Sequence, residues 1–526
     1  MLKPIVLTVV LRYFVHVRVT KRKALPELPH SISAMDHTKG TLLFKNSKSH
    51  YIYTMNIRDF IEKVRELGLL REVKGASWDL EIGAITDLNA KRRKFTLLFD
   101  EIKDYPKGYR VLTGALLDYR RVSLALNLSA NSDIDLVKKL RERLAYASKE
   151  YMNYSPREMS DSPLLENVDV GEKVDLFKFP SPKWHEHDGG RYIGTADAVI
   201  TKDPESEWVN VGAYRVMLVD KNRVAIFIDS PHHGRIHMEK YLKQGKKCPI
   251  VISFSPPLDL FIFSGMEVPQ SVSEYNFSGA VSGKRVEILR GEDTGLPIPA
   301  ESEIAIEGYI TGELTDEGPF GEFMGYYAGG RMKNPVIEVK RVYYRNDPIL
   351  LGTTPGIPPY DYSYFRCPMR SAMIWDMLER IGIRDIKGVW AHEVGFSRAL
   401  VVVAIKQAFA GHQTMLGHIL ATSPLTSYGG RYVIVVDEDI DPSDLNQVVW
   451  ALCTRTDPAN SIEVVRNVPS TPLDPMAERK ENVKEYVSSR AIIYATKPFN
   501  KSFPLEIKVS EDLVQKIKEN WSEIFQ

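Results

Sequence analysis

The sequence predicts a multidomain α/β protein with a strand-rich middle region, and three observations support this fold class. The chain has 526 residues, whereas single domains typically have about 100–200 residues. Hydrophobic residues make up 44% of the chain, enough to fill several cores. The periodicity changes from mixed helix and strand to nearly continuous strand at residues 195–350, and then back to mixed.

Residues 1–54 are predicted to form a poorly ordered extension. Their apolar run PIVLTVVL is interrupted at Arg12 and is shorter than the roughly 20 residues that span a bilayer. No small-residue cleavage site follows it, which argues against a secretory signal. Cys248, Cys367 and Cys453 are too far apart in sequence for a disulfide framework or a CxxC zinc site. We therefore expect a cytoplasmic protein with no membrane span.

An N-terminal α/β domain is predicted at residues 55–183. Apolar residues recur at helical spacing in MNIRDFIEKVRELGLL, which begins at Met55. Residues 95–99 and 109–113 have the composition of short strands, and residues 134–147 are helical in pattern. A loop rich in Ser and Pro ends this domain.

Residues 184–350 are predicted to form a β-domain, because strand-like segments follow one another without long helices. The segments are ADAVITKD, WVNVGAYRVMLVDKNRVAIFID, CPIVISFS, LDLFIFS, EIAIEGYITGEL and NPVIEVKRVYYR. Such a succession is typical of an antiparallel barrel or of a sandwich, and the pattern alone leaves both open.

Helix and strand patterns alternate again in residues 351–500, which predicts a second α/β domain. Helices are expected at residues 369–381, 414–420 and 445–451, and strands at residues 400–405 and 432–436. The tail, residues 501–526, contains an amphipathic helix that we expect to contact another subunit. The apolar face of this helix consists of Leu513, Ile517 and Trp521.

The charge balance and the missing motifs exclude several functional classes. The chain has 69 Lys and Arg against 68 Asp and Glu, and no segment is rich in Lys and Arg. It therefore has no positive electrostatic potential of the kind that attracts nucleic acid. It has no G-x-x-x-x-G-K-[ST], H-E-x-x-H or G-x-S-x-G motif, and no G-x-G-x-x-G after a strand. Any chemistry must therefore come from residues scattered along the sequence.

The segment EGPFGEFMG, residues 317–325, is the most informative candidate for chemistry. Gly and Pro fix the directions of Glu317 and Glu322, and the adjacent Phe and Tyr side chains can exclude water from one of them. Burial of that carboxyl would raise its pKa and leave a proton donor beside a permanent anion. Two solvated loop acids are an equally good interpretation of this segment by itself.

A second candidate is NVGAYR, residues 210–215, on a predicted strand. Asn210 and Arg215 reach one site only if the strand bends at Gly212. An Arg in an apolar strand needs a partner, which is either a structural carboxylate or a bound substrate carboxylate. For this segment alone, the structural ion pair is the better interpretation.

Polar loops around the predicted strands offer further donors. The segments SPHHG, WHEHDGG, SGME and SVSEY supply imidazole, hydroxyl, backbone and carboxylate groups. Such groups suit a hard divalent ion, although runs of polar residues more often form solvated turns. None of these loops decides the function alone.

Together these segments resemble the UbiD family of reversible decarboxylases, which use prenylated FMN. The resemblance rests on TGELTDEGPFGEFMGYY, NVGAYR, SPHHG, SGMEVPQSVSE, DGGRYIGT and VVWALCTRTDP, and it extends over residues 55–497. It is closest to the nonoxidative hydroxyarylic (phenolic) acid decarboxylases. It implies a central antiparallel split β-barrel of the flavin-reductase type, flanked by N-terminal and C-terminal α/β domains, in a homodimer or larger homo-oligomer.

The resemblance also implies the catalytic residues. Arg215 would bind the substrate carboxylate and touch the cofactor, Glu317 would hold Arg215, and Glu322 would deliver the proton that replaces CO2. The substrate pocket is expected to include Phe323, Met324 and the loop of residues 352–364.

The cofactor-binding positions follow from the same resemblance. Asn210, His233 and Glu274 would hold a divalent metal, commonly manganese, against the cofactor phosphate. Ser264 and Met266 match a segment that gives backbone oxygens to a monovalent cation such as K⁺. The remaining matched positions would contact the flavin, and they are Thr195, His232 and Arg490, where Arg490 stands in place of the family's frequent phosphate-binding Lys.

The function implied is the reversible nonoxidative decarboxylation of an aromatic or α,β-unsaturated acid through a prenylated-FMN adduct, with a flavin prenyltransferase as the supplier of the cofactor. An FMN-binding oxidoreductase is one alternative, but no nicotinamide-binding fingerprint is present. A noncatalytic subunit of a carboxylase complex is another. Such a subunit would be expected to lack one of Arg215, Glu317 and Glu322, and all three are present.

Overall fold

The computed structural model describes residues 55–229, 232–268, 270–327, 329–479 and 486–524, so the predicted extension lies outside the described residues. The chain divides into two compact units. The larger unit contains the described residues up to Ala372 together with Glu393–Ser397 and Pro472–Pro475, and the smaller unit contains the others. The finer domain boundaries drawn from the sequence stay predictions.

The N-terminal part of the larger unit is an α/β layer that begins with the helix Ile57–Glu66. Asn56 caps this helix, because its side chain accepts a hydrogen bond from the backbone N–H of Asp59. Three more helices follow, Glu81–Ala90, Tyr119–Ala125 and Asp133–Glu150. The mixed sheet of this layer has four strands, in spatial order Leu70–Lys74, Thr96–Asp100, Arg110–Thr113 and Ile349–Leu351.

A curled antiparallel sheet with the form of a half-barrel occupies the middle of the larger unit and confirms the predicted fold class. Eight of its strands lie, in spatial order, at Tyr192–Gly194, Val216–Leu218, Arg223–Ile226, Met332–Tyr344, Ile304–Glu317, Cys248–Ser253, Ala198–Lys202 and Val209–Gly212. A further strand, Asn167–Val170, pairs with Met332–Tyr344. Apolar side chains of these strands, such as Val224, Ile250 and Ile337, are buried in one core. A small separate sheet consists of Pro297–Pro299, Glu287–Arg290 and Arg157–Glu158.

Three helices interrupt the region that the sequence pattern assigned to strands. They are His233–Lys243, Leu258–Ser264 and Glu274–Ser282. The prediction of a strand at LDLFIFS was wrong, because all seven residues of Leu258–Ser264 are buried and a short apolar run does not distinguish a buried helix from a strand. Glu274, expected in a loop, is the first residue of a helix.

The two long strands Ile304–Glu317 and Met332–Tyr344 bring the EGPFGE segment into the sheet. Glu317 lies opposite Met332 in the antiparallel register, so the rest of the segment is in their connection. The register shifts between Ile310 and Leu314, and such irregularities redirect side chains. Accordingly, Leu314 is exposed whereas Glu317 is fully buried.

The smaller unit combines one sheet with helices. Its strands, in spatial order, are Ile386–Ala391, Leu400–Ile405, Tyr432–Asp437, Tyr486–Ala495 and Ile462–Pro469, and Glu478–Arg479 pairs with Tyr486–Ala495. Its helices include His412–Thr422, Leu445–Arg455 and Glu511–Asn520, and the helix Arg366–Arg380 crosses from one unit into the other. Across the ranges that the structure describes, no helix combines the length and apolarity that a membrane span requires.

Candidate active site

Arg215 binds both acidic residues of the EGPFGE segment. Its Nε and Nη2 atoms donate to the two carboxylate oxygens of Glu317 over 2.8 and 3.1 Å, and its Nη1 donates to Glu322 Oε1 over 2.8 Å. The strand Val209–Gly212 ends before Arg215 and the next begins at Val216, so Arg215 lies in the interruption between two strands. The structure therefore brings Arg215 together with two acids that lie 102 and 107 positions further along the chain.

Two further side chains also hold Glu317. The hydroxyl of Tyr192 donates to Glu317 Oε1 over 2.7 Å, and Asn334 Nδ2 donates to Oε2 over 2.8 Å. With Arg215 these contacts satisfy a carboxylate whose side chain is fully buried. Sequence reasoning did not assign a role to Tyr192 or Asn334. Tyr192 lies inside the DGGRYIGT segment, whereas nothing in the pattern distinguishes Asn334 from an ordinary strand residue.

Aromatic rings enclose the Arg215 guanidinium. Its central carbon lies 4.0 Å from the ring centroid of Phe227 and 5.6 Å from that of Phe320, distances that suit cation–π attraction. The rings of Tyr192 and Phe320 are themselves 4.1 Å apart. Only 10% of the Arg215 side chain is exposed. Burial lowers the pKa of Arg215, but the hydrogen bond and charge of Glu317 and the charge of Glu322 raise it above its usual value overall.

The two carboxyls have different environments. Glu317 is fully buried and accepts hydrogen bonds from three side chains, whereas Glu322 is 17% exposed and accepts one from Arg215. Burial raises the pKa of Glu322 above its usual value, the charge and hydrogen bond of Arg215 lower it, and the charge of Glu317 raises it. Glu322 is thus suited to carry a proton next to the Glu317 carboxyl, which Arg215 also binds.

A second polar cluster contains Asn210, His233 and Glu274. His233 Nδ1 lies 3.2 Å from Asn210 Oδ1, and Glu274 Oε2 accepts a hydrogen bond from the backbone N–H of Val211 over 2.7 Å. The ring of Trp208 packs against His233 at 4.7 Å between centroids. Burial lowers the pKa of His233 and raises that of Glu274 to about 8.

Three domain families match successive parts of the chain. The 3-octaprenyl-4-hydroxybenzoate carboxy-lyase N-terminal domain matches residues 61–144, the Rift-related domain residues 157–358, and the C-terminal domain residues 363–495. The chain belongs to the UbiD family. As a UbiD-type decarboxylase it is a carboxy-lyase.

Relatives of this UbiD-family chain include characterised decarboxylases. The pyrrole-2-carboxylic acid decarboxylase of Pseudomonas aeruginosa is 30% identical over 497 residues, which cover 89% of this chain and 98% of that protein. A phenolic acid decarboxylase from Streptomyces sp. strain D7 is 29% identical, with 84% of this chain and 92% of that protein covered.

Solved structures of the UbiD class share the fold of the chain. The vanillic acid decarboxylase of Sedimentibacter hydroxybenzoicus in its open form has a TM-score of 0.78 at 28% identity, covering 90% of this chain and 99% of that one. The UbiD-class enzyme HmfF of Pelotomaculum thermopropionicum in complex with FMN has a TM-score of 0.77 at 27% identity, with 88% and 99% covered. An evolved dimeric form of HmfF is in complex with prenylated FMN; its TM-score is 0.75 at 25% identity, with 89% and 99% covered.

The donors of the second cluster fit a divalent cation. Glu274 is 4% exposed, burial raises its pKa, and within the described ranges it forms no ion pair with a cationic side chain. Asn210 offers an amide oxygen, and burial lowers the pKa of His233, which favours the neutral imidazole that binds metals. Among the described residues, no three His, Cys, Asp or Glu side chains lie close enough to hold a metal ion. The predicted set therefore takes its third ligand from Asn210.

The other residues that the resemblance assigned to the flavin and the cation have different surroundings. Ser264 O accepts a hydrogen bond from the Ala213 N–H over 3.0 Å, which joins the segment containing Ser264 and Met266 to the segment before Arg215. The Thr195 hydroxyl accepts from the Thr353 N–H over 3.1 Å. His232 is exposed, and its ring lies 5.6 Å from that of Tyr214.

Arg490 has other partners than a phosphate. It is 1% exposed, and its guanidinium donates to the carbonyl oxygens of Ala421, Ser427 and Pro469 over 2.6–3.1 Å. All of these residues belong to the smaller unit. The backbone carbonyls account for the presence of this buried Arg, and we do not assign it to the cofactor.

Gly189 packs tightly against the EGPFGE segment. Its N–H donates to Pro319 O over 2.8 Å, and a Cβ placed on it would lie 2.0 Å from Gly318 O. Gly318 itself has φ +84°, a conformation that favours glycine. The DGG segment therefore holds the backbone next to Glu317 in place.

Gly189→Ala should displace this backbone and lower kcat. A displacement of about 1 Å at a catalytic group costs on the order of 10²-fold in rate, so we expect a loss of that size in steady-state kinetics. Gly330→Ala is the matched control, because a Cβ there meets no atom within 4 Å. Equal kcat values for Gly189→Ala and wild type would show that this contact does not position Glu317.

Proposed function

We propose that the chain catalyses the reversible, nonoxidative decarboxylation of an aromatic or α,β-unsaturated carboxylic acid with prenylated FMN. The observation that carries this proposal is the cluster of Arg215, Glu317 and Glu322, in which two carboxyls in different environments share one guanidinium. The relatives' names support an aromatic acid as the substrate class, and the HmfF complexes support a flavin cofactor.

When bound, prenylated FMN supplies the electron sink for the electron pair that remains when CO2 leaves an sp² carbon. Asn210, His233 and Glu274 would hold it through a divalent metal such as Mn²⁺, and Ser264 and Met266 through a monovalent cation such as K⁺. Thr195 and His232 would line the flavin. A flavin prenyltransferase would supply the cofactor, and the chain would assemble as a homo-oligomer.

Arg215 orients the substrate in this proposal. Its guanidinium has five N–H donors, of which three engage Glu317 and Glu322. The remaining donors can bind a substrate carboxylate. Because Glu317 fixes one edge of the guanidinium, the geometry exists before the substrate arrives, and little ordering is required on binding.

Glu322 completes the reaction by proton transfer. The C–C bond to the carboxylate breaks, CO2 leaves, and the carbon takes the proton of the Glu322 carboxyl. The resulting Glu322 carboxylate is stabilised by Arg215 Nη1, and water returns the proton for the next cycle. In the carboxylation direction the same carboxylate acts as the base.

The metal site gives a prediction that does not depend on turnover. His233→Ala should remove an imidazole donor and reduce the manganese content of purified protein, together with the amount of retained flavin. Inductively coupled plasma mass spectrometry and flavin absorbance measure the two quantities. His418→Ala is a suitable control, since this exposed imidazole pairs with Glu463. Unchanged manganese and flavin in His233→Ala would contradict the assigned metal site.

The function is tested with protein produced with and without a flavin prenyltransferase. Each preparation is offered a panel of hydroxybenzoic, heteroaromatic and α,β-unsaturated acids, and released CO2 and the decarboxylated product are quantified. We expect stoichiometric product only from the protein produced with the prenyltransferase. Activity that requires plain FMN and an electron donor would favour the oxidoreductase alternative. Tight cofactor binding with no turnover on any acid would favour the noncatalytic subunit.

A further inference from the structure

A short segment that follows the strand Ile386–Ala391 in sequence packs against the EGPFGEFMG segment. This short segment, Glu393–Ser397, belongs to the larger unit. The ring of its Phe396 lies 5.6 Å from the ring of Phe323 between centroids, at an interplanar angle of 68°. Phe323 directly follows Glu322 in the chain, so Phe396 packs against the neighbour of the proposed proton donor.

Glu393 anchors this segment in the larger unit. Its side chain is buried and accepts hydrogen bonds from Arg93 Nη2 and from the Ser363 hydroxyl. Its backbone oxygen accepts from the Phe396 N–H over 2.6 Å, which closes the segment into a single turn. A buried carboxylate that is held by a cation and a hydroxyl fixes the backbone that carries Phe396.

The backbone at Phe396 has an unusual conformation. Phe396 and Ser397 have φ 46° and 59°, in the left-handed region that favours glycine. Bulky residues keep such a conformation only where their surroundings determine it, and such residues are concentrated at binding and catalytic sites. The conformation therefore favours a functional role for the position of the Phe396 ring.

Tyr360 connects the same anchor to Phe323. Its N–H donates to the Ser363 hydroxyl oxygen over 2.8 Å, and its own hydroxyl donates to Phe323 O over 3.2 Å. Ser363 in turn donates to Glu393. Phe323 is thus held at its backbone by Tyr360 and contacted at its ring by Phe396.

The two phenylalanine rings offer a surface for a planar apolar ligand. Phe323 and Phe396 are both half-buried, so part of each ring is open to a ligand. Ligand pockets are lined mainly by apolar and aromatic side chains, and rings in edge-to-face arrangement pack well against a further ring. Glu322 adjoins Phe323 and pairs with Arg215. An acid whose carboxylate binds Arg215 would therefore bring its ring toward these two side chains.

We propose that Phe396 is a specificity-determining residue that limits the size of the aromatic acid reaching Glu322, and that Glu393 is the positioning residue that holds it. This inference rests on the proposed function. It adds that the chain acts on single-ring acids and discriminates against bicyclic acids, because the Phe396 ring occupies the space that a second fused ring requires.

Phe396→Ala tests the specificity through a ratio of specificity constants. The single-ring acid that is turned over best is compared with its benzo-fused, bicyclic analogue on protein with prenylated FMN. The variant should raise kcat/KM of the bicyclic acid relative to that of the single-ring acid by about 10-fold or more, since a single methylene in an apolar pocket already changes such a ratio by roughly 10- to 200-fold. Phe396→Leu should give an intermediate ratio.

Glu393→Gln tests the positioning role. The amide keeps the size of the side chain and can still accept from Ser363, but it loses the charge that pairs with Arg93. It should raise the same ratio by less than Phe396→Ala does, and it should have no further effect when residue 396 is already Ala, because it acts through the ring. A loss of folded protein alone would lower both specificity constants equally and leave the ratio unchanged.

Phe499→Ala is the matched control, because it removes an exposed ring. If Phe396→Ala has no turnover, the dissociation constants of the two acids, measured by calorimetry on protein loaded with plain FMN, give the corresponding ratio. An unchanged ratio in Phe396→Ala, or a wild-type chain that prefers the bicyclic acid, would overturn the specificity assignment and leave the proposed function intact. An equal effect of Glu393→Gln in the Phe396→Ala background would overturn the positioning role. A wild-type chain that turns over no acid would overturn the proposed function and this inference with it.

Discussion

Glu322→Gln should lower kcat by about 10²- to 10⁴-fold, the usual contribution of a general acid. The amide keeps the size of the side chain and can still face Arg215, but it has no proton to give to the carbon. Affinity for the cofactor should be retained, because the proposed metal ligands are untouched. Steady-state kinetics on protein with intact prenylated FMN measures the change.

The pH dependence identifies the group responsible. Since burial raises the pKa of Glu322, its protonated form persists to higher pH than that of an ordinary carboxyl, and decarboxylation should decline as pH rises through that pKa. Glu322→Gln should lack this decline. Glu313→Gln is the control, because Glu313 lies on the strand that leads to the EGPFGE segment, is exposed and pairs with Arg223. Wild-type kcat in Glu322→Gln would refute the assigned role.

Arg215→Ala should both inactivate and destabilise the protein. It removes the proposed substrate-binding donors and leaves Glu317 buried without its cation. Breaking a buried pair in this way costs about 3–5 kcal/mol of unfolding free energy, and loss of a transition-state donor costs about 10²- to 10³-fold in kcat. Chemical denaturation and kinetics measure the two effects.

Arg215→Lys separates the two effects. A lysine retains the positive charge but not the planar fork that binds Glu317 through two nitrogens. We expect it to recover more stability than activity. Arg223→Ala, which removes an exposed guanidinium paired with Asp220 and Glu313, should change neither by a large amount. If Arg215→Ala were as stable as Arg223→Ala, the cluster would not be held together as described.

The sequence was most predictive where local pattern and tertiary structure agree. The helix Ile57–Glu66 has both its cap and its apolar face in the sequence, and the long strands have alternating or β-branched residues. The sequence was least predictive for a segment in which every residue is buried. Leu258–Ser264 is mostly apolar and buried at every position, so its periodicity does not show that it is a helix, and only its tertiary surroundings decide.

Only part of the site was predicted, because only some of its residues stand out in the local sequence pattern. Gly, Pro and paired acids made the EGPFGE segment conspicuous, so Glu317 and Glu322 were found. Tyr192 and Asn334 were not, because their role comes from strand pairing that brings them to Glu317. Arg490 shows the same limit. It is an arginine near apolar residues, and only the structure shows that its guanidinium donates to three backbone carbonyls.

Hydrogen–deuterium exchange in the decarboxylated product tests the central claim most directly, since it reports proton transfer without requiring CO2. Wild-type protein with prenylated FMN, incubated in D₂O with the product of its best substrate, should place one deuterium at the carbon that carried the carboxylate. Glu322→Gln with the same cofactor content should leave that position protonated. Exchange at the wild-type rate in Glu322→Gln would contradict the account.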